Sequence, residues 1–193
     1  MDGIGKPIVT AVAPADVDRT VAVLVLAFIA DPVVRWTYPD PAQYLALFPA
    51  LVRAFGGGAF AQGTARHVKD HAGAALWLPP GIEPDHAAIE ASLPAGREAE
   101  IAAVFEAMAS YHPHEAHWYL PLIGVDPAHH RKGCGDALLQ DALGQCDQDH
   151  VAAYLESTNP ANITLYQRHG FEVLGTIQVG SSPPLFPMLR TAR

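Results

Sequence analysis

The chain has 193 residues, half of them hydrophobic, which is enough to bury one substantial core, so a single domain over residues 1–193 is expected. The 20 acidic residues outnumber the 12 basic ones, and a formal charge of -8 opposes general attraction to nucleic acid or anionic lipid. Neither is therefore an expected partner, and a polyanionic ligand needs a local basic site.

No basic segment precedes the first apolar run, residues 21–30, and that run is too short to cross a bilayer, so a soluble cytoplasmic protein is expected. Cys134 and Cys146 fall in one predicted helix, roughly 18 Å apart along its axis, too far to bridge.

A short strand is expected over residues 7–12. Pro14 then opens a helix, with Asp16 and Asp18 near the positive end of its dipole, and that helix runs to Asp31-Pro32. A proline-rich link, residues 31–41, leads into a helix over 42–55 that Gly56 to Gly58 end; this region is a candidate acceptor-site lid. Strands at 63–69 and 73–78 flank a hairpin connection at Asp70-His71-Ala72. Residues 84–110 read as helical with a break at Pro94-Ala95-Gly96, and 117–125 as a strand buried on both faces.

Residues 133–146 place Gly135, Leu138, Leu139, Ala142, Leu143 and Cys146 on one helical face. A strand at 151–157, a helix at 160–169 closed by Gly170, a strand at 171–179 and a last one at 184–189 complete the chain. The short connections force a right-handed crossover between neighbouring parallel strands. The expected fold class is α/β, a mixed and mostly antiparallel sheet with a parallel splayed pair in the centre and helices on both faces.

Chemistry concentrates between the strand ending at Val125 and the helix beginning near Gly133. A turn that leads into a helix N-terminus offers unpaired backbone N–H groups to an anion. Gly133 and Gly135 let a diphosphate approach the backbone, and His129, His130, Arg131 and Lys132 supply positive charge. Neither a P-loop nor the dinucleotide fingerprint fits: the Gly-Lys-Ser/Thr run is missing, and the third glycine's place is Leu138.

This strand-turn-helix resembles the acetyl-CoA motif of the GNAT acetyltransferases, V-x-P-x-x-[Q/R]-x-x-G-x-[G/A], through Val125, Pro127, Gly133 and Gly135, with His130 in the Gln/Arg position. Residues 159–171, NPANITLYQRHGF, resemble the family's second signature. Within the family, residues 116–125, Leu155-Glu156-Ser157, and Ala27-Phe28 with Asp31-Pro32 are similar to puromycin N-acetyltransferases.

The resemblance implies acetyl-CoA as co-substrate and an amine acceptor, without a metal. It implies that the backbone of Ile123, Gly124 and Val125 pairs with pantetheine. It puts the cofactor's remaining contacts at His130, Arg131, Lys132, Gly133, Cys134, Gly135, Asp136, Asn159, Asn162 and Tyr166. Tyr166 would protonate the departing thiolate. The family's frequent basic Glu is replaced by Tyr119, which leaves Glu156, at the end of the next strand, as the candidate base or else an ordinary strand-end residue.

Of His112, His114 and His117, two flank Pro113 in a loop, and no cysteine or paired carboxylate completes a metal shell; Cys134 has no partner base and reads as incidental. An acidic body favours cationic acceptors such as aminonucleosides, aminoglycosides, polyamines or a peptide N-terminus. A CoA-binding sensor without turnover and a protein or peptide acetyltransferase are the competing readings, and a homodimer is left open.

Overall fold

The computed structural model describes residues 7–193; the first six residues of the expected domain lie outside the described residues. The chain passes through β1 (Val9–Ala11), α1 (Val17–Ala27), α2 (Pro32–Thr37), α3 (Pro41–Gly56), α4 (Gly58–Ala61), β2 (Arg66–Val68) and β3 (Gly73–Leu78). It continues through α5 (His86–Ala91), α6 (Glu98–Tyr111), β4 (His117–Val125), α7 (Cys134–Asp149), β5 (Ala152–Ser157), α8 (Ile163–Arg168), β6 (Glu172–Val173) and β7 (Phe186–Arg190). Seven strands form one sheet in the order β1-β2-β3-β4-β5-β7-β6, antiparallel throughout except for the central pair β4 and β5.

The period of two along each strand sends alternate side chains into two cores. Ala74, Leu76 and Leu78 of β3 and Tyr154 of β5 face α1 and α3, against Leu24, Tyr44, Phe48 and Val52. Ala75, Trp77, Ala153 and Leu155 face α7 and α8, against Leu138, Leu139, Leu143 and Tyr166. Helices thus cover both faces, as the mixed α/β expectation required, and α7 is the crossover joining the parallel pair. A third cluster joins α2 and α6 to the segment before β7 through Trp36, Val104, Ile177 and Leu185.

Four local expectations are corrected. The first helix ends at Ala27, with Phe28 as its cap, before Asp31-Pro32. The proline-rich link holds a helix, α2: Pro32 takes the first turn, and Asp31 caps it by accepting from the Val33 and Val34 N–H groups. The strand expected over 171–179 shrinks to Glu172–Val173 and one bridge between Ile177 and Leu185. There the chain presses on α6, where a Cβ on Gly175 would lie 2.5 Å from the Tyr111 hydroxyl. On α7, Cys134 and Ala137 join the buried face, whereas Gly135 and Ala142 are only half-buried.

Candidate active site

β4 and β5 pair over three registers only, His117 with Ala152, Trp118 with Ala153 and Tyr119 with Tyr154. Beyond them β4 stays bonded to β3 as far as Val125, and β5 stays bonded to β7 as far as Ser157. The facing edges of the two parallel strands therefore part, and backbone groups along residues 120–125 lose their neighbour on that side.

The cause lies in β4. Leu76 pairs with Leu122 and Leu78 with Tyr119, so three steps of β4 run against two of β3. The extra residue falls at Leu120-Pro121. Proline lacks the N–H a central strand must donate and is accommodated at such a bulge, which bends the strand and sharpens its twist. Side chains change phase there: Tyr119 and Leu122 both face α1 and α3, while Leu120 and Ile123 face α7. Gly124 lies under α1, where a Cβ would stand 2.5 Å from the Ala27 Cβ.

Beyond Val125 the chain makes a braced turn. Asp126 receives the Ala128 N–H on its carboxylate and donates its own N–H to Ala72. The His130 ring is hydrogen-bonded to the Val125 carbonyl at 3.0 Å, and Lys132 Nζ donates to Ala128 at 3.0 Å. Arg131 and Gly133 both take positive φ, 60° and 79°, and α7 then starts without a side-chain cap. The first N–H groups of α7 consequently have no partner inside the helix, next to exposed Arg131 and Lys132.

The other predicted residues divide by surroundings. Asp136 accepts from His169 and Arg168, at 3.0 and 3.3 Å, which ties α7 to α8. Burial alone would raise its carboxyl, but these partners hold it below the usual range. Cys134 is buried, and burial pushes its thiol up, against a nucleophilic role. Asn159 spends its side chain capping the turn before α8 through the Ala161 N–H, and Asn162 is exposed.

Tyr166 projects from α8 into the core shared with α7, its ring edge-on to Phe171. Burial first, and the charge of Asp31 second, push its hydroxyl above the ordinary tyrosine range, so it stays protonated at neutral pH. Glu156 stands on the opposite face, beside Tyr154 and Tyr119. Its Oε2 accepts from the Tyr119 hydroxyl at 2.9 Å, and its Oε1 is buried without a partner. Burial pushes this carboxyl up to about 7, although the Tyr119 bond and the neighbouring Tyr154 hydroxyl oppose the rise.

Three further features frame this pair, and for none of them does the sequence give the contact that matters. The Pro121 bulge was signalled by a proline inside a central strand. Asp31 is buried and accepts from Thr158 Oγ1 at 2.6 Å, which fastens α2 to the end of β5. His112 packs on both Tyr119 and Tyr154 with ring centroids 4.7 Å away, and burial, with His117 adding to it, lowers its ring to about 4. Among the described residues no group of three or more His, Cys, Asp or Glu side chains is arranged to hold a metal, and no helix is long and apolar enough to cross a membrane.

Comparison with known proteins agrees with this architecture. Residues 95–173, from α6 to β6 and so spanning both parting strands, match the family model described as acetyltransferase (GNAT) domain. A structure described as histone acetyltransferase HPA2 and related acetyltransferase from Corynebacterium glutamicum is 26% identical with a TM-score of 0.70, covering 97% of each chain. Arylalkylamine N-acetyltransferase 2 of Aedes aegypti (11% identical, TM-score 0.70, 97% of this chain and 99% of that one) shares the fold. So does the polyamine N-acetyltransferase of Drosophila melanogaster (17%, 0.63, 96% and 100%). The described chain has the GNAT fold, and residues 95–173 carry its match to the GNAT acetyltransferase domain. The protein is accordingly an enzyme of the acyltransferase class.

Proposed function

We propose that this enzyme transfers an acetyl group from acetyl-CoA to a primary amine of a small molecule by direct attack, with the whole chain acting as one acetyltransferase domain. The observation that supports this reading is the gap that opens where β4 and β5 part, with Glu156 bonded to Tyr119 on the α1/α3 side of the sheet and Tyr166 in the core on the α7/α8 side. A thioester lying in that gap would meet a base on one side and an acid on the other.

In this reading the backbone of Ile123, Gly124 and Val125 gives an extended pantetheine chain the hydrogen bonds that β5 does not. The N–H groups of Gly133, Cys134, Gly135 and Asp136, with Arg131 and Lys132, hold the diphosphate at the start of α7. His130, bonded to Val125, orients the end of the strand, while Asn159 and Asn162 border the cofactor from the turn before α8.

Glu156 takes a proton from the incoming ammonium on its Oε1. The freed nitrogen then bonds the acetyl carbon, the carbon–sulfur bond breaks, and the nitrogen releases its surplus proton to solvent, which balances the proton that Tyr166 takes back. Tyr166 gives its proton to the departing sulfur and is reprotonated from solvent. The balance is amine plus acetyl-CoA to amide plus CoA, with no metal and no acetyl-enzyme.

The test is CoA thiol release from acetyl-CoA across a panel of small amines and basic peptides. Release with small amines, together with at least a roughly tenfold lower kcat in Tyr166→Phe at unchanged fold, is the expected result. Saturable acetyl-CoA binding with no release from any acceptor would make the protein a CoA sensor. Release with peptides alone would move the acceptor to a protein amine.

A further inference from the structure

The turn that joins β2 to β3 rests on a pair of imidazoles. His67 and His71 stack with ring centroids 4.1 Å apart and planes 16° from parallel. His67 is tied at both ring nitrogens, to Thr10 Oγ1 and to the Val68 carbonyl, each at 3.0 Å. His71 is 8% exposed, and neither of its ring nitrogens has a hydrogen-bond partner. Asp70 and His71 hold positive φ in succession, 61° and 56°, a strained conformation that the packed ring keeps in place.

One residue separates this ring from the turn that leads into α7. The Ala72 carbonyl accepts the Asp126 N–H at 2.9 Å, and Asp126 organises the turn after β4 by accepting from Ala128 and His129. The step from Ala72 into β3 has no slack, since a Cβ on Gly73 would lie 2.8 Å from the Gly124 carbonyl oxygen. Displacing His71 therefore pulls on Asp126.

The charged groups facing the ring are His67 from β2, Arg19 from α1, Asp16 from the cap of α1, and Asp70 from the turn itself. Burial first, then His67 and Arg19, oppose charge on His71 and outweigh the two carboxylates, with Asp16 Oδ1 standing 3.9 Å away. A proton on the buried ring has no acceptor, whereas in an open turn water solvates it.

On the acetyl-CoA reading above, we propose that His71 is a positioning residue of the diphosphate turn: its uncharged ring, stacked on His67, keeps Ala72 against Asp126, and protonation releases that contact. Acetyl-CoA binds the closed turn. Because the closed form takes the proton less readily than the open one, closure is fully stable above the ordinary histidine range and weakens as pH falls below it.

Hydrogen exchange of the Asp126 amide, expressed as a protection factor against the unstructured rate at each pH, reads the opening. Between about pH 7.5 and 5.5 the wild-type factor should fall severalfold, to a limit of about tenfold set by an imidazole that titrates normally once the turn is open. In H71N, where Asn suits the left-handed backbone without titrating, and in H71F, which keeps the ring stack, the factor should be equal at both pH values. Acetyl-CoA at about a hundred times its calorimetric Kd should raise the wild-type factor toward a hundredfold.

A wild-type factor that holds or rises on acidification, or an equal fall in all three proteins, would overturn the role of His71. A titrating turn that bound acetyl-CoA leaves unprotected would overturn its link to the diphosphate site while the acetyl-CoA reading stands. Calorimetry that finds no acetyl-CoA binding at either pH would overturn both.

Discussion

The Tyr119 hydroxyl donates to Glu156 Oε2 at 2.9 Å across the last paired register of β4 and β5. β4 thus supplies a hydroxyl donor that tunes a carboxylate on the next strand. Burial sets Glu156 near 7, and the Tyr119 bond keeps it from rising further. A base must be ionised to act, so kcat/KM should climb through pH 7. In Tyr119→Phe the ionised form loses that bond, and the climb should move to higher pH by about one to two units. Profiles measured with one amine for both proteins cancel the amine's own ionisation; an unmoved profile would refute the coupling.

The same shift has a consequence for stability. Because the folded carboxyl titrates higher than the unfolded one, the native state binds the extra proton between the ordinary glutamate range and about 7. Stability from this group is therefore present at low pH and lost as pH rises through 7, by an amount on the order of 3 kcal/mol. Glu156→Gln should remove that loss: little change in Tm at acid pH, and a higher Tm than wild type at pH 8. Thermal melts at both pH values check it.

Asp31 and Thr158 show how far the sequence could be read. The two motifs around residues 125–135 and 159–171 were legible because glycines, prolines and helix periodicity are local signals, and they located the parting strands and α8. The partnership of Asp31 with Thr158 joins positions 127 residues apart and leaves no local trace. Tyr119 could be noticed as a departure from a pattern, but its bond to Glu156 depends on the bulge at Pro121, which sets the phase of both faces. α2 was hidden for another reason. Asp-Pro followed by further prolines reads as an extended link until the Asp is recognised as a cap and the Pro as a first-turn residue.

Replacing Thr158 by Val keeps the shape and removes the donor to a buried carboxylate. Asp31, already raised by burial, would rise further once the Thr158 bond that lowers it is gone. The expected cost is about 1–3 kcal/mol in urea unfolding. Since Asp31 also caps α2, the amine KM should rise more than the acetyl-CoA KM. Equal changes in both would make the contact one of general stability only.

Gly124 marks a contact between β4 and α1 that tolerates no methyl group. With 2.5 Å from a built Cβ to Ala27 Cβ and 3.3 Å to Leu24, Gly124→Ala should cost about 1–3 kcal/mol by forcing the helix off the strand. Ala27→Gly alone should cost up to about 1 kcal/mol through helix propensity. Made together, the two changes relieve one another, so the double variant should be more stable than the sum of the single effects implies. Additive losses in denaturant titrations would show that the crowding lies elsewhere.

On the proposed reading, Arg131 sets cofactor binding against backbone preference. It holds φ at 60° in the turn before α7, a conformation that costs a non-glycine residue on the order of 1 kcal/mol, and its side chain is exposed beside the uncapped helix start. Arg131→Gly should therefore raise stability by a few tenths to about 1 kcal/mol while raising the acetyl-CoA KM severalfold, with kcat at saturation retained. Arg131→Ala should raise KM alike without the gain in stability. The increase in KM should shrink as salt screens the wild-type attraction for the diphosphate. If both variants kept the wild-type KM at low salt, the Arg131 side chain would have no part in binding acetyl-CoA.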